Sequence, residues 1–247
     1  MGQTIEVDHA FKWSRPSNIY LATREDIGYI VTVMDLAVII QRLVILVPPI
    51  LLAVTVHEMA HGWVAYRLGD PTAKMLGRLS FNPLRHLDPI GTLVFFLTQT
   101  IGWARPVPIN PVYFKYPRRD MVWVSIAGPA ANMTLAAISA FLLRAAPGFL
   151  GGALESSMYF VRPLVYMAYV SIQLNIGLAV FNLIPIPPLD GSKVLMGFLP
   201  LRFAVWYGQL ERYGFIIILI LVFTGVTGRI IVPLIIYLNN IFLGIAS

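Results

Sequence analysis

From residue 43 to residue 245 the chain is a succession of apolar segments, several of them long enough to cross a bilayer, joined by short polar connectors. A helix needs about 20 apolar residues to cross a hydrocarbon core of about 30 Å. Inside that core every backbone N–H and C=O must find a partner within the protein, which leaves helices or closed barrels. Composition agrees with this restriction. Charged residues make up 12% of the 247 and hydrophobic residues 57%, whereas soluble domains carry about 25% charged residues. So little charge cannot coat a water-facing surface, and a disordered chain would need the opposite balance. The sequence predicts an all-α polytopic membrane protein with about five to six transmembrane helices.

Those spans are expected near residues 43–66, 121–143, 159–184, 213–226 and 230–245, with a prelude at 30–40. Pro48 and Pro49 are expected to kink or break the first. The apolar stretch 89–101 is short for a crossing and reads as re-entrant or interfacial. Residues 1–35 are comparatively polar and read as an N-terminal extension, without the arrangement of a signal peptide. Residues 36–247 then form one membrane-embedded domain. Two segments, Gly77-Arg78-Leu79-Ser80-Phe81 and 103–109, alternate in strand fashion and predict a small membrane-associated β element lining protein or a wet cavity.

The net charge of +6 suits loops rich in Lys and Arg on the cytoplasmic side better than nucleic-acid binding, which is not expected. Eleven basic residues, namely Arg67, Lys74, Arg78, Arg85, Arg105, Lys115, Arg118, Arg119, Lys193, Arg202 and Arg212, fall on one side if 89–101 does not cross. Arg144, Arg162 and Arg229 fall opposite. The first side is therefore expected to be cytoplasmic, with Lys12, Arg15 and Arg24 of the extension outside, against the trend.

The sharpest chemical signal is His57-Glu58-Met59-Ala60-His61, inside the first span. Helical positions four apart share a face, so both imidazoles point one way, as two nitrogen ligands of a zinc ion require. Glu58 stands beside them as a base. The plainer reading is a polar network between helices, but ionisable groups inside a span are costly and mark function by default. With no cysteine in the chain, thiolate ligands and disulfides are excluded. Two histidines leave a catalytic zinc one protein ligand short; the remaining histidines are His9 and His86, and the acids close to apolar spans are Asp35, Glu155 and Asp190. Asp190 stands out because Pro185, Pro187 and Pro188 leave unpaired backbone before it, tolerable only beside a cavity. The rival is an ordinary turn before Gly191. His86, in an Arg-His-Leu-Asp run, reads as a solvated or interfacial turn. Trp63, Trp103 and Trp123 suit an interfacial belt.

Three motifs taken together resemble a known family: His57-Glu58-Met59-Ala60-His61, Gly128-Pro129-Ala130-Ala131-Asn132, and Asn182-Leu183-Ile184-Pro185-Ile186-Pro187-Pro188-Leu189-Asp190-Gly191. They stand in the order found in the site-2 protease family of intramembrane zinc metalloproteases. The resemblance covers a core of about residues 43–200, and the run 81–91 with 103–110 looks like the compact branch without PDZ or CBS domains. It implies one zinc per chain held by His57, His61 and Asp190, with Glu58 as general base. It also implies that Asn132 steadies substrate or oxyanion near the metal, and that Asn182 contacts the substrate backbone. From the residues alone, Asn132 could equally be an interhelical hydrogen-bond donor and Asn182 a helix cap.

The implied activity is hydrolysis of peptide bonds in or near transmembrane segments of membrane proteins (regulated intramembrane proteolysis). The enzyme would be a multi-pass protein of the cell membrane, its site toward the cytoplasm, its partners the bilayer and a transmembrane substrate. A metal- or proton-coupled transporter would use similar residues, but the inverted repeats common in transporters are not seen. A catalytically dead scaffold would lack some of the ligands or the base, all of which are present.

Overall fold

The computed structural model describes residues 36–98, 102–150 and 158–244. The chain divides into two units, 1–43 and 44–247. Of the first, only the helical residues 36–43 are described, so the expected extension 1–35 lies outside the described residues.

The first helix, α1, runs unbroken over Leu36–Arg67 with Pro48 and Pro49 inside it. Of the expected kink or break, the break does not occur. Each proline removes one N–H, and transmembrane helices tolerate this where neighbours or local adjustments satisfy the freed carbonyl. A short turn of helix, α2, covers Thr72–Met75, and α3 covers Pro89–Thr98. At 1.5 Å per residue, ten residues reach about 15 Å, half of a bilayer core. The last residues of the stretch expected to be re-entrant, 99–101, are not described.

The long helix α4, Pro117–Leu150, opens with proline at its first position, where a missing N–H costs nothing. The Asp120 carboxylate reaches back to accept the Tyr116 N–H at 2.9 Å. Helix α5 spans Met158–Asn182, and α4 and α5 make the most extensive pairing among the described elements. Small residues make the close approach possible: Ala136 and Ala140 of α4 are buried against Ile172 and Ile176 of α5. The chain continues through α6 (Asp190–Phe198), α7 (Leu201–Gly208), α8 (Gly214–Phe223) and α9 (Val226–Leu243). Arg118, at the start of α4, donates to the Met196 carbonyl at 3.0 Å and so ties down the end of α6.

Among the described residues, four helices are long and apolar enough to cross a membrane: Ile40–Arg67, Pro117–Ala146, Val161–Asn182 and Leu201–Phe223. The last is longer than expected because α7 and α8 join through a 3-10 turn, Gln209–Tyr213. A further apolar helix, Gly228–Leu243, is shorter, at about 24 Å by helical rise. Five to six spans were expected, but the segment after Gly225 does not reach the length of the others.

The expected β element is not present among the described residues. Residues 77–81 form turns and bends, and 103–109 is extended without a strand partner. What remains is one isolated antiparallel bridge between Leu87 and Ala104, with the Arg105 N–H donating to the His86 carbonyl at 2.9 Å. Alternation suggested strands, but Pro106 and Pro108 remove every second N–H that a ladder would need. The extended segment is anchored by side chains instead.

Candidate metal centre

His57 and His61 lie one turn apart on α1, and both are buried. Their rings meet edge to face with centroids 4.6 Å apart. Asp190 is the first residue of α6, where the positive end of the helix dipole favours a carboxylate. The proline run between Asn182 and Asp190 ends α5 and swings the chain back to bring that carboxylate onto the histidines. Asp190 Oδ2 lies 3.2 Å from His57 Nε2 and 3.1 Å from His61 Nε2, and the two Nε2 atoms are 3.0 Å apart. These donor atoms form a near-equilateral triangle. Ligands on a tetrahedral zinc with bonds of about 2.0 Å sit about 3.3 Å from one another.

The far side of each ring explains why Nε2 faces inward. His57 Nδ1–H donates to Asn132 Oδ1 at 2.5 Å, and His61 Nδ1–H donates to the Val124 carbonyl at 2.7 Å. With both Nδ1 atoms carrying hydrogen, both Nε2 atoms present lone pairs, the arrangement of metal-bound histidines. Two lone pairs and a carboxylate converging in a buried space call for a cation. Across the cluster Gly128 leaves room: a Cβ there would lie 2.6 Å from His61 Cε1 and 2.7 Å from His57 Cε1. Among the described residues, His57, His61 and Asp190 offer donor atoms that gather within 4.8 Å of one another. The donor set, its tautomers and the glycine clearance fit a zinc ion.

Glu58 is half-buried and outside this donor group. Its Oε2 accepts the Val107 N–H at 2.8 Å. Arg78 pins the same segment, its Nη2 donating to the Arg105 carbonyl at 2.7 Å and the Pro106 carbonyl at 3.3 Å. Burial, then the Arg105 charge, pulls the Arg78 guanidinium below its usual value, while Glu58 opposes the change. Further along, the Asn110 N–H donates to the buried Asp70 at 2.7 Å. The extended segment is thereby stretched across the face of Glu58.

Residues 45–224 match the model of peptidase family M50. The chain belongs to peptidase family M50, the site-2 protease family. YwhC of Bacillus subtilis (strain 168), which carries a zinc metalloprotease name, is 42% identical over 189 residues, 76% of this chain and 84% of that protein. Rip2 of Mycolicibacterium smegmatis (strain ATCC 700084 / mc(2)155), with the same kind of name, is 28% identical over 183 residues, covering 72% of this chain and 66% of its own. Rip2 of Mycobacterium tuberculosis (strain ATCC 25618 / H37Rv) is 30% identical over 150 residues, 59% and 53% of the two chains. No solved structure matches. This M50 peptidase is a zinc metalloprotease of the membrane.

Other residues singled out in the sequence have mixed placements. Asn132 is fully buried and its amide is engaged on every side: Oδ1 by His57, Nδ2 by the Ala53 carbonyl at 3.2 Å and by Asn175 Oδ1 at 2.6 Å. Both of its polar atoms thus have protein partners, one of them the ring of His57. Asn182, the last residue of α5, donates to Leu178 O at 2.9 Å within its own helix. His86 is fully buried rather than solvated, its Nε2–H donating to the Ser80 carbonyl at 2.8 Å. His9, Asp35 and Glu155 lie outside the described residues. Trp63, Trp103 and Trp123 are exposed, as an interfacial belt requires. Arg78, which the sequence marks only for its charge and its place in an alternating segment, Val107 and Asn175 enter the site from the structure. Asn175 had a signal, a polar residue inside an apolar span, but Val107 contributes a backbone group that no side-chain pattern reveals.

Proposed function

We propose that this peptidase hydrolyses peptide bonds in or near transmembrane segments of membrane proteins, the reaction of regulated intramembrane proteolysis. The observation that carries the reading is the convergence of His57, His61 and Asp190 beside a carboxylate, Glu58, that is not one of the donors. His57 Nε2, His61 Nε2 and Asp190 Oδ2 would hold the zinc. Bound there, zinc supplies a Lewis acid that makes water acidic enough to react near neutral pH and stabilises charge on the scissile carbonyl oxygen.

Glu58 acts as general base. It takes a proton from the attacking water and returns it to the departing amine. The Val107 N–H holds the carboxylate in place on its Oε2, leaving Oε1 for the proton. Asn132 fixes the ring of His57 and supports the centre from behind. Asn182, half-buried at the head of the proline run, is proposed as a contact for the substrate backbone.

A helical substrate hides its carbonyls in its own hydrogen bonds and must unwind before it is cut. An apolar cleft of about 570 Å³, lined by residues such as Phe181, Ile184, Ile218, Leu221 and Ile231, opens along the run that leads to Asp190 and suits an apolar chain. Water and substrate are proposed to meet at the cytoplasmic side of the cell membrane, where the basic connectors gather. The test is a comparison of membrane peptide fragments made by the wild-type enzyme and by Glu58→Gln in the same vesicles. Fragments ending within apolar segments should depend on Glu58. If the two fragment sets are identical, the reading is wrong.

A further inference from the structure

Behind His57 a line of buried polar groups leaves the metal centre and crosses from α4 to α5. Asn132 and Asn175 are fully exposed to protein and not to solvent, and Ser139 and Ser171 are buried beyond them. The line has a direction. The Ser171 carbonyl can only accept, so the atom of Asn175 facing it at 2.8 Å is Nδ2. Asn175 Oδ1 must then face Asn132, which presents Nδ2 to it at 2.6 Å. The Ala53 carbonyl, also an acceptor only, receives the same Nδ2 at 3.2 Å. Oδ1 of Asn132 is thereby turned to His57, whose Nδ1 must carry hydrogen. Two backbone carbonyls on two helices thus set which nitrogen of His57 has the free lone pair.

We propose that Asn175 is a positioning residue for the zinc site, acting through Asn132 to hold His57 in the tautomer with Nε2 free. The longer of the two anchors on Asn132 is the Ala53 carbonyl and the shorter is Asn175. Without Asn175, the amide of Asn132 has one weak hold against turning over. A turned amide would offer N–H to Nδ1 and move the ring hydrogen to Nε2, where it competes with the metal. Ser139 meets Ser171 through its hydroxyl at 2.9 Å and does not set the direction, which comes from the Ser171 backbone.

This inference rests on His57 being a zinc ligand, and the experiment separates the two. Zinc affinity of the full chain in nanodiscs is measured by competition with a chelator, and the His57 tautomer is read from ¹⁵N ring shifts. Loss of a direct partner of a metal-bound histidine costs about 10–100-fold in affinity, and Asn132→Leu should fall in that range. Asn175→Leu, of similar branched shape, should cost several-fold and shift the His57 tautomer toward hydrogen on Nε2. In the Asn132→Leu background Asn175→Leu should cost nothing more, the non-additivity of groups acting in series. Ser139→Ala should leave affinity unchanged. Asn175→Val replaces Asn175→Leu if the larger side chain prevents folding. Additive losses, or an unshifted His57 tautomer in Asn175→Leu, would overturn the relay, because a packing role moves stability and not the ring hydrogen. Unchanged zinc affinity in His57→Ala would overturn the ligand assignment itself.

Discussion

The backbone N–H of Val107 lies 2.8 Å from Glu58 Oε2, so a segment far along the chain holds the carboxylate that neighbours both histidines. A carboxylate held at one oxygen loses freedom to turn. That relation sets Glu58 apart from the three donor groups, as the proposed division between binding metal and moving protons requires.

Glu58→Gln should retain zinc and fold but lose cleavage by about 10²–10⁴-fold, the usual contribution of a general base. Gln matches Glu in shape and still accepts the Val107 N–H through its amide oxygen. Metal content and turnover are measured on the same preparation. Near-normal turnover would remove Glu58 from the role.

Asp190→Ala should lower zinc affinity together with activity, since two imidazoles alone complete only half of a tetrahedral site. Chelator competition reads the affinity. Should Asp190→Ala bind zinc like the wild type while His57→Ala is empty, another group must be the third ligand.

Gly128→Ala should empty the metal centre while the helices stay folded. The added methyl would press on both imidazoles, 2.6 Å and 2.7 Å from their Cε1 atoms. Zinc content by elemental analysis, with circular dichroism as the control for helix, tests it. A zinc-replete Gly128→Ala protein would show that the clearance is not needed.

Arg78→Ala should reduce kcat and leave zinc content unchanged. Arg78 holds the Arg105 and Pro106 carbonyls, and losing it lets the Val107 N–H drift from Glu58. Misplacement of a catalytic group by about 1 Å can cost about 10²-fold. A kcat equal to wild type would show that Val107 is held without Arg78.

Lys74→Cys, Arg118→Cys and Lys193→Cys should react with reagents applied to the cytoplasmic face, and Arg144→Cys and Arg229→Cys only from outside. The chain has no cysteine of its own to confuse the labelling. The expectation follows from the distribution of basic connectors and from the ten-residue length of α3. Labelling of Lys74→Cys and Arg118→Cys from opposite faces would mean that the chain crosses between them.

Sequence alone was enough to determine the helical membrane class, because pairing the backbone within lipid depends on the length of apolar runs and little else. It also placed His57 and His61 on one face with Glu58 beside them, since helical period is a local property. Tertiary structure decided the rest. Asp190 reaches the histidines only because the proline run turns the chain back at the end of α5. Asn132 becomes a partner of His57 Nδ1 because packing across helices sets which polar atoms meet, and side-chain identity does not say which way an amide faces. Alternation at 103–109 predicted a strand, but a ladder needs donors on both chains, and Pro106 and Pro108 supply none. That segment is held instead through the N–H of Val107 and the carbonyls of Arg105 and Pro106, backbone groups common to nearly every residue, which become specific only when the fold brings Glu58 and Arg78 to meet them.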